Sequence, residues 1–327
     1  MEIIFHTRHN AICIRSPRRN STSESRFTIG TWILFIWIKI ESHSVHTIYI
    51  PRINDEKSDF IILFNIWSRC QTLQNFALNF SKCDFLRQNA VAFLGGIISN
   101  IKSNGGSVSL NTHTLSSALR ANLEQNGFLA AMGVDAPPWD GNSIPYREDQ
   151  SPDYHKISRY LQEKWLGKGW IFIDPELAKA IVSNVLEIYS NVFTHAQSAN
   201  GVFSCGQNYP TLEEIKITVV DFGIGIPQSI RDYLYNIGQD PKIPDDKTLQ
   251  LAFQEGFSTK PDLGGMGLKL LKEFIQLNQG RLDIYSHSGH AIIDASGEHY
   301  EIINSFFRGT IVNISINRDQ KVYILKH

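Results

Sequence analysis

IKITVVDFGIGIP, residues 215–227, is the stretch on which the reading of this chain turns. Ile215 to Val220 is rich in β-branched residues, which suits a buried strand. The run ends on Asp221. Gly223 and Gly225 follow one residue apart, and Pro227 opens a helix. An acid at a strand end, followed by two glycines, makes a turn that lets a ligand come close to the backbone. The third glycine of a dinucleotide-binding fingerprint would fall on Gln228, and no G-x-x-x-x-G-K-[ST] occurs anywhere in the chain. Both common phosphate-loop architectures are thereby excluded.

Upstream, Pro175 to Thr194 has helical periodicity. Ile181, Val185, Ile188 and Val192 form one apolar stripe, and Glu187, Asn191 and His195 form a second stripe beside it rather than opposite. A carboxylate, an amide and an imidazole at the margin of a core have the look of a site. Downstream, Phe257-Ser258-Thr259-Lys260 offers hydroxyls and an ammonium. Gly264-Gly265-Met266-Gly267-Leu268 opens a helix running to Asn278, where backbone N–H groups and the helix dipole favour phosphate. Arg281 to Ser286 and Thr310 to Ile316 read as strands, with Gly309-Thr310 opening the second. Together these elements predict an α/β sandwich with helices stacked on a mixed sheet.

Each motif alone is an ordinary turn or an ordinary amphipathic face. In order, E-x-x-x-N-x-x-x-H, D-x-G-x-G, F-S-T-K, G-x-G-L and G-T resemble the ATPase superfamily of gyrase, heat-shock chaperones, histidine kinases and mismatch-repair proteins. E-x-x-x-N-x-x-x-H most resembles the anti-sigma factor serine kinases. The resemblance covers roughly residues 169–317 and implies a histidine kinase-like ATPase fold with ATP and Mg²⁺ as cofactors. It assigns Asp221 to the adenine amino group, with Gly223 and Gly225 giving room for the ring. Asn191 would hold Mg²⁺, and Glu187 would be the general base. Thr259, Lys260, Gly265, Met266, Gly267 and Leu268 would close over the phosphates, and Thr310 completes the nucleotide set. Leu263 stands where many relatives carry the first glycine of the lid.

The N-terminal half is a smaller α/β layer. Phe76 to Phe80 alternates as a strand, Ala90 to Ser103 is a helix closed by Asn104-Gly105-Gly106, Ser107 to Leu110 is a strand, and Thr114 to Gln125 is a helix closed by Asn126-Gly127. FALNFSKCDFLRQNAVAFLGGIISNIKSNGGSVSL, followed by LSSALRANLEQNGF, resembles a STAS domain, the fold of anti-sigma factor antagonists. Phosphorylated antagonists carry a serine at the start of the first helix; here Gln88-Asn89-Ala90 stands there. Asp135 to Ser151, with three prolines and several acids, reads as a linker. The expected organisation is residues 1–58 as a segment of little pattern read as strands, 59–134 as the STAS-like domain, 135–151 as the linker and 152–327 as the ATPase domain. Deleting residues 1–134 is then expected to spare ATP binding.

Composition sets the outer bounds. A net charge of −1 gives no surface for nucleic acid, and 42% hydrophobic residues can bury real cores. Cys13, Cys70, Cys83 and Cys205 form no C-x-x-C pair, which points to reduced thiols in the cytoplasm. Phe27 to Ile40 is strongly apolar, but its fourteen residues fall short of the roughly twenty that cross a bilayer, so it reads as a strand and no membrane partner is expected. The expectation is a regulatory protein that binds MgATP, as an ATPase or a serine/threonine kinase acting on a partner protein through the STAS-like domain; a homodimer stays open. A sensor histidine kinase and a non-catalytic nucleotide-dependent module are the alternatives.

Overall fold

The computed structural model describes residues 45–325, apart from 73, 195, 197, 199, 255–256 and 258–267, together with the backbone of residues 6–7 and 10–11. Contacts divide the chain into two units, Met1–His43 and Ser44–His327. In the first, β1 (His6–Thr7) pairs antiparallel with β2 (Asn10–Ala11). The strand expected over Phe27 to Ile40 lies outside the described residues.

The second unit opens with a small parallel sheet. β3 (His46–Tyr49), α1 (Lys57–Cys70), β4 (Asn75–Asn79), α2 (Gln88–Ser103) and β5 (Ser107–Asn111) follow one another, and the strands pair in the order β3-β4-β5. A helix between each successive pair is what a parallel pairing requires. α3 (Ser117–Gln125) and the short α4 (Phe128–Ala131) complete this part.

A larger sheet follows. Among the described residues it has five strands in the order β10-β11-β9-β8-β6, and every pairing is antiparallel. These strands are β6 (Ser143–Asp149), β8 (Val202–Tyr209), β9 (Glu214–Asp221), β10 (Arg281–Asp294) and β11 (Gly297–Asn317). The sheet is therefore not mixed, as expected from sequence, because hairpins and an edge strand supply its neighbours. α5 (Tyr154–Tyr160), α6 (Pro175–Thr194), α7 (Gly225–Asn236), α8 (Asp245–Ala252) and α9 (Lys269–Asn278) are the helices of this half. β7 (Phe172–Ile173) pairs in parallel with β12 (Val322–Tyr323) just before α6. Asp174 then caps α6, its carboxylate accepting from the N–H groups of Glu176 and Leu177 at 3.0 and 3.2 Å.

The two halves are not separate domains joined by a linker. Ser143–Asp149, inside the expected linker, is the edge strand β6, paired with β8. Pro145 lies at the register irregularity between Ile144 and Arg147, a place in a sheet edge that tolerates a residue without N–H. On one face the large sheet carries α6 and α9 over a core that includes Ile217, Val219, Ile284 and Ile314. Its other face packs on α1 and α2, so Phe203, Val220, Tyr285, Phe307 and Ile311 share one core with Phe60, Phe64, Phe93 and Ile97. α2 is buried on nearly every side over Gln88–Ile98, which explains why that stretch is apolar all round.

Two glycines let α2 lie this close. A Cβ on Gly95 would meet the Tyr146 hydroxyl at 2.0 Å, and one on Gly96 would meet the Phe222 ring at 2.0 Å. Polar contacts cross the same boundary. Asp55 takes an ion pair from Lys216 at 2.6 Å and another from Arg87 at 3.2 Å, with Asp55 and Lys216 both buried. The Gln88 amide donates to Asn313 Oδ1 at 3.1 Å, and Tyr209 donates to Gln88 Oε1 at 2.7 Å. Among the described residues, no helix is long and apolar enough to cross a membrane.

Candidate functional site

The site is built on the face of the large sheet that carries α6. β9 delivers Asp221 at its last position, where the chain leaves the sheet. Asp221 is 4% exposed, and its Oδ1 accepts from the Gly223 N–H at 2.8 Å. Burial pushes its carboxyl up to about 7, although the Gly223 and Thr310 hydrogen bonds work in the opposite direction. A carboxylate held in so dry a place is costly unless something arrives to donate to it.

The turn that follows explains its glycines. The Ile224 N–H donates to the Ala196 carbonyl at 2.7 Å, and a Cβ on Gly223 would sit 1.9 Å from that oxygen. Gly223 thus presses the turn onto the end of α6, and Gly225 is the glycine of the pair that lines the cavity. Gly225 has φ +78 and starts α7, with Arg308 O only 2.5 Å from where its Cβ would be. Of the two glycines only Gly225 borders the cavity, and Gly223 serves backbone packing.

A cavity of about 780 Å³ opens between α6, α7, α9 and the sheet. It brings Glu187, Asn191, Asp221, Gly225, Leu268 and Thr310 to one space. Glu187 and Asn191 stand one turn apart on α6, Glu187 half-buried and Asn191 exposed to the cavity. Ile226, Ile230, Phe253 and Phe257 make apolar walls. Thr259, Lys260, Gly265, Met266, Gly267 and His195 lie outside the described residues.

The geometry adds residues that sequence reading did not single out. Lys269 and Lys272 of α9 line the cavity one turn apart. Lys272 is paired with Glu298 and donates to the Phe253 carbonyl at 3.1 Å. Their i, i+3 spacing at a glycine-led helix start is a signal the sequence does carry. Asn184 on α6 accepts from the Leu271 N–H at 2.9 Å, tying α9 to α6, and no local pattern reveals it. Ser286 lies beside Thr310 through a pairing visible only once β10 and β11 are in register.

The space suits a nucleotide. Its volume lies in the range of ordinary small-molecule sites, with apolar walls, one buried acid and two lysines in its lining. Among the described residues no cluster of three or more His, Cys, Asp or Glu side chains could hold a metal by itself. A hard divalent ion would be shared between an oxygen ligand such as the Asn191 amide and phosphate oxygens, an arrangement that suits Mg²⁺.

No curated protein matches the chain. Residues 176–318 match the family model described as Histidine kinase-, DNA gyrase B-, and HSP90-like ATPase. That span runs from the first turn of α6 to just beyond the end of β11, so it contains every residue that lines the cavity except Tyr154. This part of the chain is therefore similar to the ATPase domains of histidine kinases, gyrase B and HSP90, and ATP is the ligand such a likeness implies.

Proposed function

We propose that the chain is a MgATP-binding regulatory protein, and that its ATPase domain either hydrolyses ATP as a switch or phosphorylates serine or threonine on a partner, as anti-sigma factor kinases do. The observation that carries this reading is the buried Asp221 carboxylate at the cavity floor, facing the wall formed by Glu187 and Asn191. Asp221 accepts from the adenine amino group, with Thr310 beside it. Asn191 holds the metal, and Glu187 orients and deprotonates the attacking nucleophile. Lys269 and Lys272 face the phosphates from α9, and Thr259, Lys260 and residues 265–268 close over them. ATP supplies the transferable phosphoryl group, and Mg²⁺ offsets its charge. The cytoplasm is the location that goes with this reading.

The STAS-like part is read as a built-in regulatory layer and not as the substrate. Gln88, Asn89 and Ala90, where phosphorylated antagonists carry their serine, are all buried, with Gln88 tied to the ATPase sheet. A kinase could not reach a hydroxyl there without prising the two halves apart. A sensor histidine kinase would require a helical hairpin ahead of the domain. The residues just before α6 form α5, seven residues long, then a π-helical turn over Leu161–Trp165.

Two substitutions test the nucleotide assignments. Asp221→Asn is expected to weaken ATP by about 2 kcal/mol or more, because a charge-assisted hydrogen bond is lost in a buried place. The wild type should bind GTP poorly. Since burial holds the carboxyl at about 7, the protonated acid must give up its proton before it can accept fully. Affinity should therefore rise roughly tenfold from pH 6 to pH 8, and this slope should vanish in Asp221→Asn. Stability runs the opposite way. Asp221 contributes most below the ordinary carboxylate range, and that contribution is lost as pH rises through about 7. Calorimetry showing equal ATP and GTP affinity, or a flat profile in the wild type, would reject the role of Asp221.

Asn191→Ala addresses the metal. With the amide gone, nucleotide affinity should no longer depend on Mg²⁺, while binding without metal stays within a few-fold of the wild type. Titrations with Mg²⁺ and with a chelator give the answer. A variant that keeps the full Mg²⁺ enhancement would place the ion elsewhere.

A further inference from the structure

β10 does not run straight. In an extended strand Asp283 and His290 would lie about 23 Å apart, yet His290 Nε2 is 2.8 Å from Asp283 Oδ1 and its ring stacks on Tyr285. The chain turns back over Ser286–Gly289, where the pairing with β11 slips twice and His287 takes φ +54. The bend is held from two helices. His287 Nε2 meets the Ile224 carbonyl at 2.8 Å, just before α7, and the Ser288 N–H donates to Asp245 at the start of α8 at 3.0 Å.

Ser286 is the inner residue of this bend and has no exposed surface. Its Oγ accepts from the Ile226 N–H at 3.0 Å, donates to the Gly309 carbonyl at 2.9 Å, and lies 3.2 Å from Thr310 Oγ1. A serine hydroxyl has one proton. With that proton on Gly309, Ser286 offers Thr310 only lone pairs, and the Thr310 hydroxyl stands between two acceptors, Ser286 and Asp221. We propose that Ser286 is a positioning residue for base recognition, fixing the Thr310 hydroxyl and the first turn of α7 around Asp221. This role rests on the reading of the cavity as a nucleotide site. Ser286 touches the nucleotide only through Thr310, Asp221 and the Gly225–Ile226 backbone.

Other charges stand near enough to be named. Glu187 on α6, Lys269, Lys272 and Glu273 on α9, and Glu298 on β11 line the same cavity. Arg231 on α7 and Asp245 on α8 pair beside the bend, and burial holds His287 below its usual histidine value. Ser286→Ala changes none of these charges, so a moved pH profile would report the hydroxyl arrangement at Asp221.

The test is calorimetric titration of the full chain with MgADP from pH 6 to 8.5, for the wild type, Ser286→Ala, Thr310→Ala and the double variant. The nucleotide's own phosphate titration is common to all four and cancels. Ser286→Ala is expected to weaken binding at least fivefold, on the order of one buried hydrogen bond, and to move the pH midpoint downward by roughly half a unit or more, because the single Thr310 proton is then left to Asp221 alone. In the Thr310→Ala background its effect on affinity should be clearly smaller, what remains being the Ile226 anchor. Wild-type affinity and midpoint in Ser286→Ala, or an effect undiminished without Thr310, would overturn the proposal. If Ser286→Ala melts below the assay temperature, Ser286→Cys keeps the volume with a weaker hydrogen-bonding group. It should show the same downward midpoint, and an unmoved midpoint there would count equally against the role. A wild type that binds no MgADP would instead remove the nucleotide reading, and the role of Ser286 with it.

Discussion

Removing residues 1–134 is expected to abolish folding of the remainder, not to release an independent nucleotide-binding domain. The cut strips α1 and α2 from one face of the large sheet and lays bare Phe203, Val220, Tyr285, Phe307 and Ile311, each no more than 1% exposed in the intact protein. At about 1.5–3 kcal/mol for each large apolar side chain returned to water, the loss is on the order of 10 kcal/mol. That equals or exceeds the whole stability of a typical domain, about 5–15 kcal/mol. Lys216 would also lose Asp55, its buried partner across the boundary. Thermal unfolding and ATP titration of residues 135–327, beside the same measurements on 44–327, decide the matter. The shorter fragment should give no cooperative transition and no binding. A monomeric 135–327 fragment that melts cooperatively and binds ATP like the parent would show the two halves to be separable.

Glu187→Ala carries the second large effect. If Glu187 is the general base, turnover should fall by about 10² or more while MgATP affinity stays within a few-fold, because a base acts in the transition state and adds little to ground-state binding. The position of the side chain suits that role, since it is half-buried on α6, lines the cavity and stands one turn before Asn191. Release of labelled phosphate, or its transfer to a partner, measured beside binding, separates the two quantities. Unchanged turnover would remove Glu187 from the chemistry. Loss of binding or of folding would make its role structural. A wild type that binds MgATP and never turns it over would favour the non-catalytic module.

Much of the ATPase half was legible before any fold was known, for local reasons. The α6 stripe, the strand ending in Asp221 and the Thr310–Ile316 end of β11 are each written by short-range periodicity. Residues on one helix face or at one strand end keep their relation whatever surrounds them. Glu187 and Asn191 therefore met Asp221 and Thr310 in one cavity. The union of the two halves was not legible. Gln88 and Asn89 look like ordinary surface amides in a helix start, and only packing shows both buried, Gln88 against a sheet more than a hundred residues away. Pro145 and its charged neighbours look like a linker because an edge strand tolerates what a central strand rejects. The bend of β10, and with it Ser286 beside Thr310, arises from contacts to α7 and α8 that leave no periodic trace. Sequence determined the elements and the polar groups each carries; tertiary structure decided which faces are covered, because burial is a property of what packs from elsewhere in the chain.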